Sequence, residues 1–389
     1  MAISHAGSRG FTGIPASDSA SISLRGLYQQ IWSNVPAERL ALAFLDRHQP
    51  EYLTIATNNH CNLACPHCYL QTDDRDPPLS FREWEQFFGS FFLTELSPRK
   101  ICFAGREPLL DAMAVDVGFL LRSAAPESQI GLVTNGTLLN RWYLELENLD
   151  IDFLDVSLDG STKIHDRIRG RGTFSKILRN ISNLPDTLRS RLSILCSINS
   201  MNFDDVKEFL QELEVCGIRK VVFGFFQKTL STPQDLSISK WQAGRFFDLL
   251  LECLQEKDDR WQILLDVDFL VPAVLAAAAS RGWLQPEVIQ VDETGDAFVD
   301  LNDRSLPSLF IRCAFVSSNL WHAIRISADG LLMGSDDSLE PTRYDRDAFA
   351  SIRKLGDSSV TSNAARARCG TRNRDALISS IEASRECLL

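Results

Sequence analysis

The chain has 389 residues, 44% of them apolar and 23% charged, a globular composition that excludes collagen, coiled coil and wholesale disorder. Forty basic against 51 acidic residues give a net charge of −11, which argues against general affinity for nucleic-acid backbones. No apolar run reaches the roughly 18 residues of a membrane-spanning helix and no secretory signal is visible, so a cytoplasmic protein with neither membrane nor nucleic acid as partner is expected.

Residues 1–24 are rich in Ser, Gly and Ala and read as a tail; residues 25–48 read as one or two short helices broken at Pro36. From residue 51 short β-rich runs alternate with helical patterns. The runs are 52–58, 100–105, 129–136, 151–160, 191–199 and 219–227. The helical stretches between them are 80–96, 109–124, 138–147, 161–184 and 202–217. Such alternation predicts parallel strands joined by right-handed crossovers. Runs such as KICFAG and KVVFGF are apolar on both faces, as buried parallel strands require. Polar residues and glycine gather where the strands end, at Asn58, Gly105, Asn135, Ser157, Asp159 and Asn199. Sites of α/β folds lie at those ends. The expected fold is α/β, a partial (β/α)6 TIM-type barrel with a short N-terminal cap and a mixed C-terminal extension.

After residue 228 the rhythm changes. Helices are expected at 238–256 and 269–283, an acidic irregular stretch at 290–308, a hairpin turning at Asp329–Gly330 and a helix at 374–384. The division is 1–50 cap, 51–228 barrel and 229–389 extension.

Ten cysteines are many for a chain without a leader, and only Cys61, Cys65 and Cys68 cluster, in CNLACPHC. Three thiolates on one short loop after the first strand suit an iron–sulfur cluster. They would leave one iron of a four-iron cluster open to a substrate or cofactor. A structural zinc site is the weaker alternative; it needs four closed ligands, of which His67 could supply one.

The Cys-x3-Cys-x2-Cys spacing resembles the cluster motif of the radical SAM superfamily, and further motifs follow in the family's order. The resemblance spans 51–228. It implies a [4Fe-4S] cluster held by Cys61, Cys65 and Cys68, S-adenosylmethionine on the open iron, and an electron donor such as flavodoxin or ferredoxin. His67 stands where an aromatic residue usually packs by the adenine. GREP at 105–108 resembles Gly-Gly-Glu-Pro, which cradles the methionyl amine. Gly105 and Glu107 match and Arg106 replaces the second glycine. VSLDG and HDRIRGRGTF then place Ser157 at the ribose or amino-acid part of the cofactor and Arg169 at its carboxylate. Asp159 reads equally as a turn cap or a cavity residue. His165 and His322 read as structural; TNG at 134–136 resembles the family's third-strand ending, while Asn135–Gly136 by itself is a common turn. Cys102, Cys196, Cys216 and Cys253 read as core.

The segment from Cys313 resembles the opening of a SPASM or twitch extension, in degenerate form: Gly330 matches and Ser335 replaces a cysteine. Three readings stand for Cys313, Cys369 and Cys387. They hold no cluster; they hold a second, auxiliary cluster; or one of them donates hydrogen to a product radical. The implied reaction is reductive cleavage of S-adenosylmethionine to a 5′-deoxyadenosyl radical, which takes hydrogen from an unactivated carbon. The expected substrate is a ribosomally made peptide, modified by crosslinking, epimerisation or oxidation. A small molecule such as an amino sugar, aminocyclitol or nucleoside is the alternative, and a non-catalytic cluster-binding scaffold a remote one.

Overall fold

In the computed structural model the described residues are 52–68, 70, 77–89, 98–228, 232–255, 260–268, 272–281, 290–291, 297–300, 309–314, 323–334 and 342–343. The expected N-terminal cap and the helix at 374–384 lie outside them.

Six strand–helix units run in chain order: β1 (Tyr52–Ile55) with α1 (Phe81–Gly89), β2 (Lys100–Phe103) with α2 (Met113–Ala124) and β3 (Gln129–Thr134) with α3 (Leu139–Asn148). Then come β4 (Phe153–Ser157) with α4 (Thr162–Arg169), α5 (Thr173–Ser182) and α6 (Asp186–Ser190), β5 (Leu192–Ile198) with α7 (Val206–Val215), and β6 (Lys220–Phe225) with α8 (Lys240–Gln255). A seventh strand, β7 (Gln262–Asp268), and helix α9 (Pro272–Ser280) come next. Strands β1 to β7 lie side by side in sequence order and all pair in parallel. Among the described residues the sheet's two outermost strands do not pair with each other, and the barrel is open.

The strands past residue 228 continue the same sheet at both edges. At one edge β10 (Leu309–Ala314) pairs in parallel with β7, and β9 (Ala297–Asp300) and β8 (Gln290–Val291) extend it antiparallel. At the other, β11 (Ala323–Ile326) pairs in parallel with β1, with β12 (Leu331–Gly334) and β13 (Thr342–Arg343) beyond it. The expected hairpin is present as β11 and β12, turning through Asp329 and Gly330, whose φ is +81°. It is tied to the barrel by Ala56 N–H, just past β1, to Ile326 O (2.9 Å) and by Leu79 N–H, just before α1, to Ala328 O (2.7 Å).

Strand periodicity sorts the core from the site. Leu53, Ile55, Ile101, Phe103, Ile130, Leu132, Leu154, Val156, Ile194, Val221, Phe223, Ile263 and Leu265 are buried in one core with the inner faces of the helices. Because side chains alternate at period two, Thr54, Val133, Ser157, Ser197 and Gly224 fall on the opposite, concave face. Of the cysteines read as core, Cys102, Cys196 and Cys253 are buried, but Cys216 is exposed. Cys216 caps the carboxyl end of α7, where the chain turns away from the core, so the expectation fails there.

Candidate functional site

The loop that leaves β1 is held by buried amides. Asn58, 4% exposed, donates to Glu107 O (2.9 Å) and accepts from His60 N–H (3.0 Å), while Glu107 N–H donates to His60 O (3.1 Å). The cysteine loop is thereby tied to the end of β2. A second tie joins it to β3. Asn62 donates to Thr137 Oγ1 (2.8 Å) and accepts from Asn135 Nδ2 (2.8 Å), which also reaches Cys61 Sγ at 3.7 Å. Cys61 Sγ accepts from Leu63 N–H as well, at 3.4 Å. Cys68 N–H closes a turn onto Cys65 O (3.1 Å).

Cys61, Cys65 and Cys68 are half-buried and reduced. Burial pushes the Cys61 thiol up and the Cys65 thiol to about 11. Both are therefore neutral thiols near pH 7 until a cation displaces their protons. Among the described residues no three His, Cys, Asp or Glu side chains converge on a single metal ion. A mononuclear zinc site completed by His67 is not formed, because His67 turns elsewhere: its Nε2 lies 3.4 Å from Asp159 Oδ2 and 3.5 Å from Arg169 Nη2.

Asp159, fully buried, is the hub of that second group. It accepts Arg169 Nε–H at 2.5 Å and Ser197 N–H at 3.0 Å, partners that neither sequence reading named. Burial alone would raise its pKa, but Arg169 and His67 hold it down at about 2. Burial likewise opposes the charge of Arg169, and Asp159 overrides it and keeps the guanidinium above its usual range. The carboxylate occupies Nε, so the terminal edge of the guanidinium is the part left to receive a ligand. Burial lowers the pKa of His67, leaving a neutral ring near pH 7.

Glu107 is only 1% exposed, and three donors meet its carboxylate: Thr134 Oγ1 (2.6 Å), Asn135 N–H (2.8 Å) and Leu109 N–H (3.0 Å). Burial raises its pKa and those donors oppose the shift. The carboxylate faces the chain's own donors and locks the ends of β2 and β3 together. Gly105 has φ +121°, and a Cβ there would lie 2.9 Å from that of Ala56, so both backbone conformation and space demand glycine. Arg106 needs no such conformation, since Asp150 is the one described non-glycine residue with positive φ. The missing second glycine therefore does not distort this loop.

Gly160 (φ +118°) lets the β4–α4 turn press against α7; a Cβ would lie 2.5 Å from Asp205 Oδ2. Asp205 accepts from Ser161 N–H (2.6 Å) and Ser161 Oγ (2.8 Å), and Glu212 accepts from Thr162 N–H and Oγ1, both at 2.8 Å. The amino end of α4, which carries His165 and Arg169, is capped from another helix. Ser157 sits half-buried at the end of β4. Cys313 lies on β10 opposite Val267 of β7. Cys369, Cys387, His322 and Ser335 fall outside the described residues.

His165 is fully buried. Its Nδ1 accepts Asp159 N–H (3.1 Å), and its ring meets Phe174 edge-on at 5.5 Å. Burial pushes its pKa down to about 4. The unfolded chain takes up this proton near pH 6.5, so between pH 6.5 and 4 the unfolded state binds more protons and stability falls as pH drops. The expected loss is ~3 kcal/mol across that window. Urea titrations of the apoprotein at pH 7 and 4.5 check it. His165→Asn, which keeps an acceptor near Nδ1, should lose much of the wild-type pH dependence.

Among the described residues, the buried side-chain atoms without a hydrogen-bond partner include Thr57 Oγ1, His67 Nδ1 and Arg106 Nη2, on loops of this site, and His165 Nε2, on α4. Native proteins leave few such groups unpaired. A polar, charged ligand between these loops fits them. The sequence missed Asn62, Thr137 and Ser197, and read Asn58 and Asn135 only as strand-end polar residues, because the hydrogen bonds through which they act exist only in the fold.

Three comparisons bear on identity. Residues 55–213 match the model of the Radical SAM superfamily. Fe-coproporphyrin III synthase of Methanosarcina barkeri is 28% identical over 202 residues, 49% of this chain and 48% of that protein. The chain thus spans about half the length of that relative. The probable GTP 3′,8-cyclase of Methanocaldococcus jannaschii is 26% identical over 284 residues, 67% of this chain and 93% of that one. Among solved structures, Streptococcus suis SuiB bound to its precursor peptide SuiA superposes with a TM-score of 0.58 at 13% identity, over 81% of this chain and 68% of SuiB. At that identity the likeness shows the fold alone. A [4Fe-4S] cluster and S-adenosylmethionine are the cofactors of the superfamily. Residues 55–213 thus carry a radical SAM domain, set in an open parallel α/β barrel.

Proposed function

We propose that this chain modifies a ribosomally made peptide by radical chemistry, with the three half-buried cysteines of the β1 loop holding the cluster. The observation that carries the reading is convergence. The Cys61 loop is tied to Glu107 and Asn135 on one side, and the Asp159–Arg169 pair reaches His67 of the same loop on the other. When bound, the cluster and S-adenosylmethionine supply one-electron reductive cleavage and a carbon radical that removes hydrogen from an unactivated position.

The chain's own residues bind and orient. Cys61, Cys65 and Cys68 give three thiolates. Gly105 lets backbone approach the methionyl part closely, while Glu107, buried and three times bonded, fixes that loop. Arg169, with Nε held by Asp159, presents its terminal edge to the carboxylate of the cofactor. His67 offers a neutral flat ring to the adenine, and Ser157 a hydroxyl to the ribose. The barrel mouth excludes water from a radical that must meet one hydrogen only. A flavodoxin- or ferredoxin-type donor supplies the electron.

The likeness to SuiB, solved with its precursor peptide bound, supports a peptide substrate. The second reading, a small molecule, is favoured by the names of the sequence relatives, a coproporphyrin synthase and a GTP cyclase. The deciding experiment measures 5′-deoxyadenosine formation with and without short peptides encoded beside the gene, deuterated along their chains. Stimulated turnover with deuterium in the deoxyadenosine supports the peptide reading. Turnover unmoved by every peptide, but stimulated by a nucleotide or tetrapyrrole, replaces it with the second.

A further inference from the structure

Asn135 sits at the end of β3, 6% exposed, and each of its polar side-chain atoms is engaged. Its Oδ1 accepts from Thr137 N–H (3.0 Å) and Thr137 Oγ1 (2.6 Å). A backbone N–H can only donate, so this bond fixes which end of the amide is oxygen. The NH2 end must then face Asn62 Oδ1 at 2.8 Å and Cys61 Sγ at 3.7 Å. Leu63 N–H is a second donor to the same sulfur, at 3.4 Å. Two N–H dipoles thus converge on Cys61, and one of them belongs to a side chain that can be exchanged.

Hydrogen bonds to ligating sulfurs stabilise the more negative, reduced form of a cluster and raise its potential. Resting on the cluster assignment above, we infer that Asn135 is a positioning residue that tunes the reduction potential of the cluster through its N–H···S bond to Cys61. Asn135 N–H also donates to the buried Glu107 carboxylate (2.8 Å). The donor's strand end is thereby tied to the GREP loop after β2, and its distance to the sulfur is set by the barrel.

The test is an anaerobic redox titration of the reconstituted full chain, tracked by the electron-paramagnetic signal of the reduced cluster, on wild type, Asn135→Ala and Asn135→Asp. Removing the donor should lower the reduced-to-oxidised ratio at a fixed poise by about tenfold, a shift of ~59 mV to more negative potential for one electron. Asn135→Asp, isosteric and anionic, should move it further. Iron content reads scaffold against tuning. Full iron with unchanged potentials in both variants overturns the inference, and so does loss of the cluster from Asn135→Ala, which would make the residue a scaffold only. A wild type that binds no iron at the three cysteines would instead sink the cluster assignment itself.

Discussion

Replacing Cys61, Cys65 and Cys68 together by alanine is expected to remove about four irons per chain after anaerobic reconstitution and to abolish 5′-deoxyadenosine formation. All three sit on one loop held mainly by bonds other than those of their sulfurs, although Cys61 Sγ accepts from Asn135 Nδ2 and Leu63 N–H. Asn58 and Asn62 hold it by side-chain amide bonds, and Glu107 by its backbone C=O and N–H. The variant should therefore remain folded and lose only the cluster. Iron analysis and chromatography of the turnover mixture, beside a melting curve, check this. Deoxyadenosine retained by the triple variant would overturn the cluster assignment. The same measurement on wild type sorts the readings of the C-terminal cysteines. About four irons would leave Cys313, Cys369 and Cys387 without a cluster, whereas about eight would assign them an auxiliary one.

Asp159→Asn should be the most damaging change away from the cysteines. It keeps the shape of the hub but removes the charge that compensates Arg169. Breaking a buried pair from one side costs about 3–5 kcal/mol, because the other charge stays buried without a partner. Affinity for S-adenosylmethionine should fall as well, since the freed guanidinium no longer presents a fixed edge. Asp159→Asn/Arg169→Met separates the two effects: stability should recover while cofactor affinity stays low. Denaturant titration and equilibrium dialysis read them independently. Recovery of both would show that the pair serves the fold alone. Protonation does not mimic this variant near neutrality. With Asp159 held at about 2, the contribution of the pair is fully present above the usual carboxylate range and is lost only as pH falls from ~3.9 toward 2.

The legible part of the fold was its rhythm. Apolar runs such as KICFAG announced parallel strands, and the structure arranges β1 to β6 in that order. The region past residue 228 was hard to read because its strands join the sheet out of sequence. β11 pairs with β1 across some 270 intervening positions, a relation no local pattern encodes. The site divides in the same way. The cysteine spacing and the GREP loop are local signals. Asp159 was ambiguous because its role depends on Arg169, ten positions on, and on His67, which comes from a different loop. Asn135 passed as an ordinary turn residue because its sulfur contact lies 74 positions away. Cys216 looked apolar by its neighbours, yet it falls one residue beyond the last turn of α7 and faces water.

The strand that launches the cysteine loop takes one of its two neighbours from far downstream in the chain. Until residues 323–326 have left the ribosome, β1 has an unpaired edge, Ala56 lacks its acceptor on Ile326 and Leu79 lacks its acceptor on Ala328. Translation order and assembly order are therefore opposed here. The motif is synthesised early, but the strand that launches it gains its second neighbour late. A nascent or truncated product ending before the hairpin would carry the cysteine loop on a strand with one open edge, with Ala56 and Leu79 lacking these acceptors.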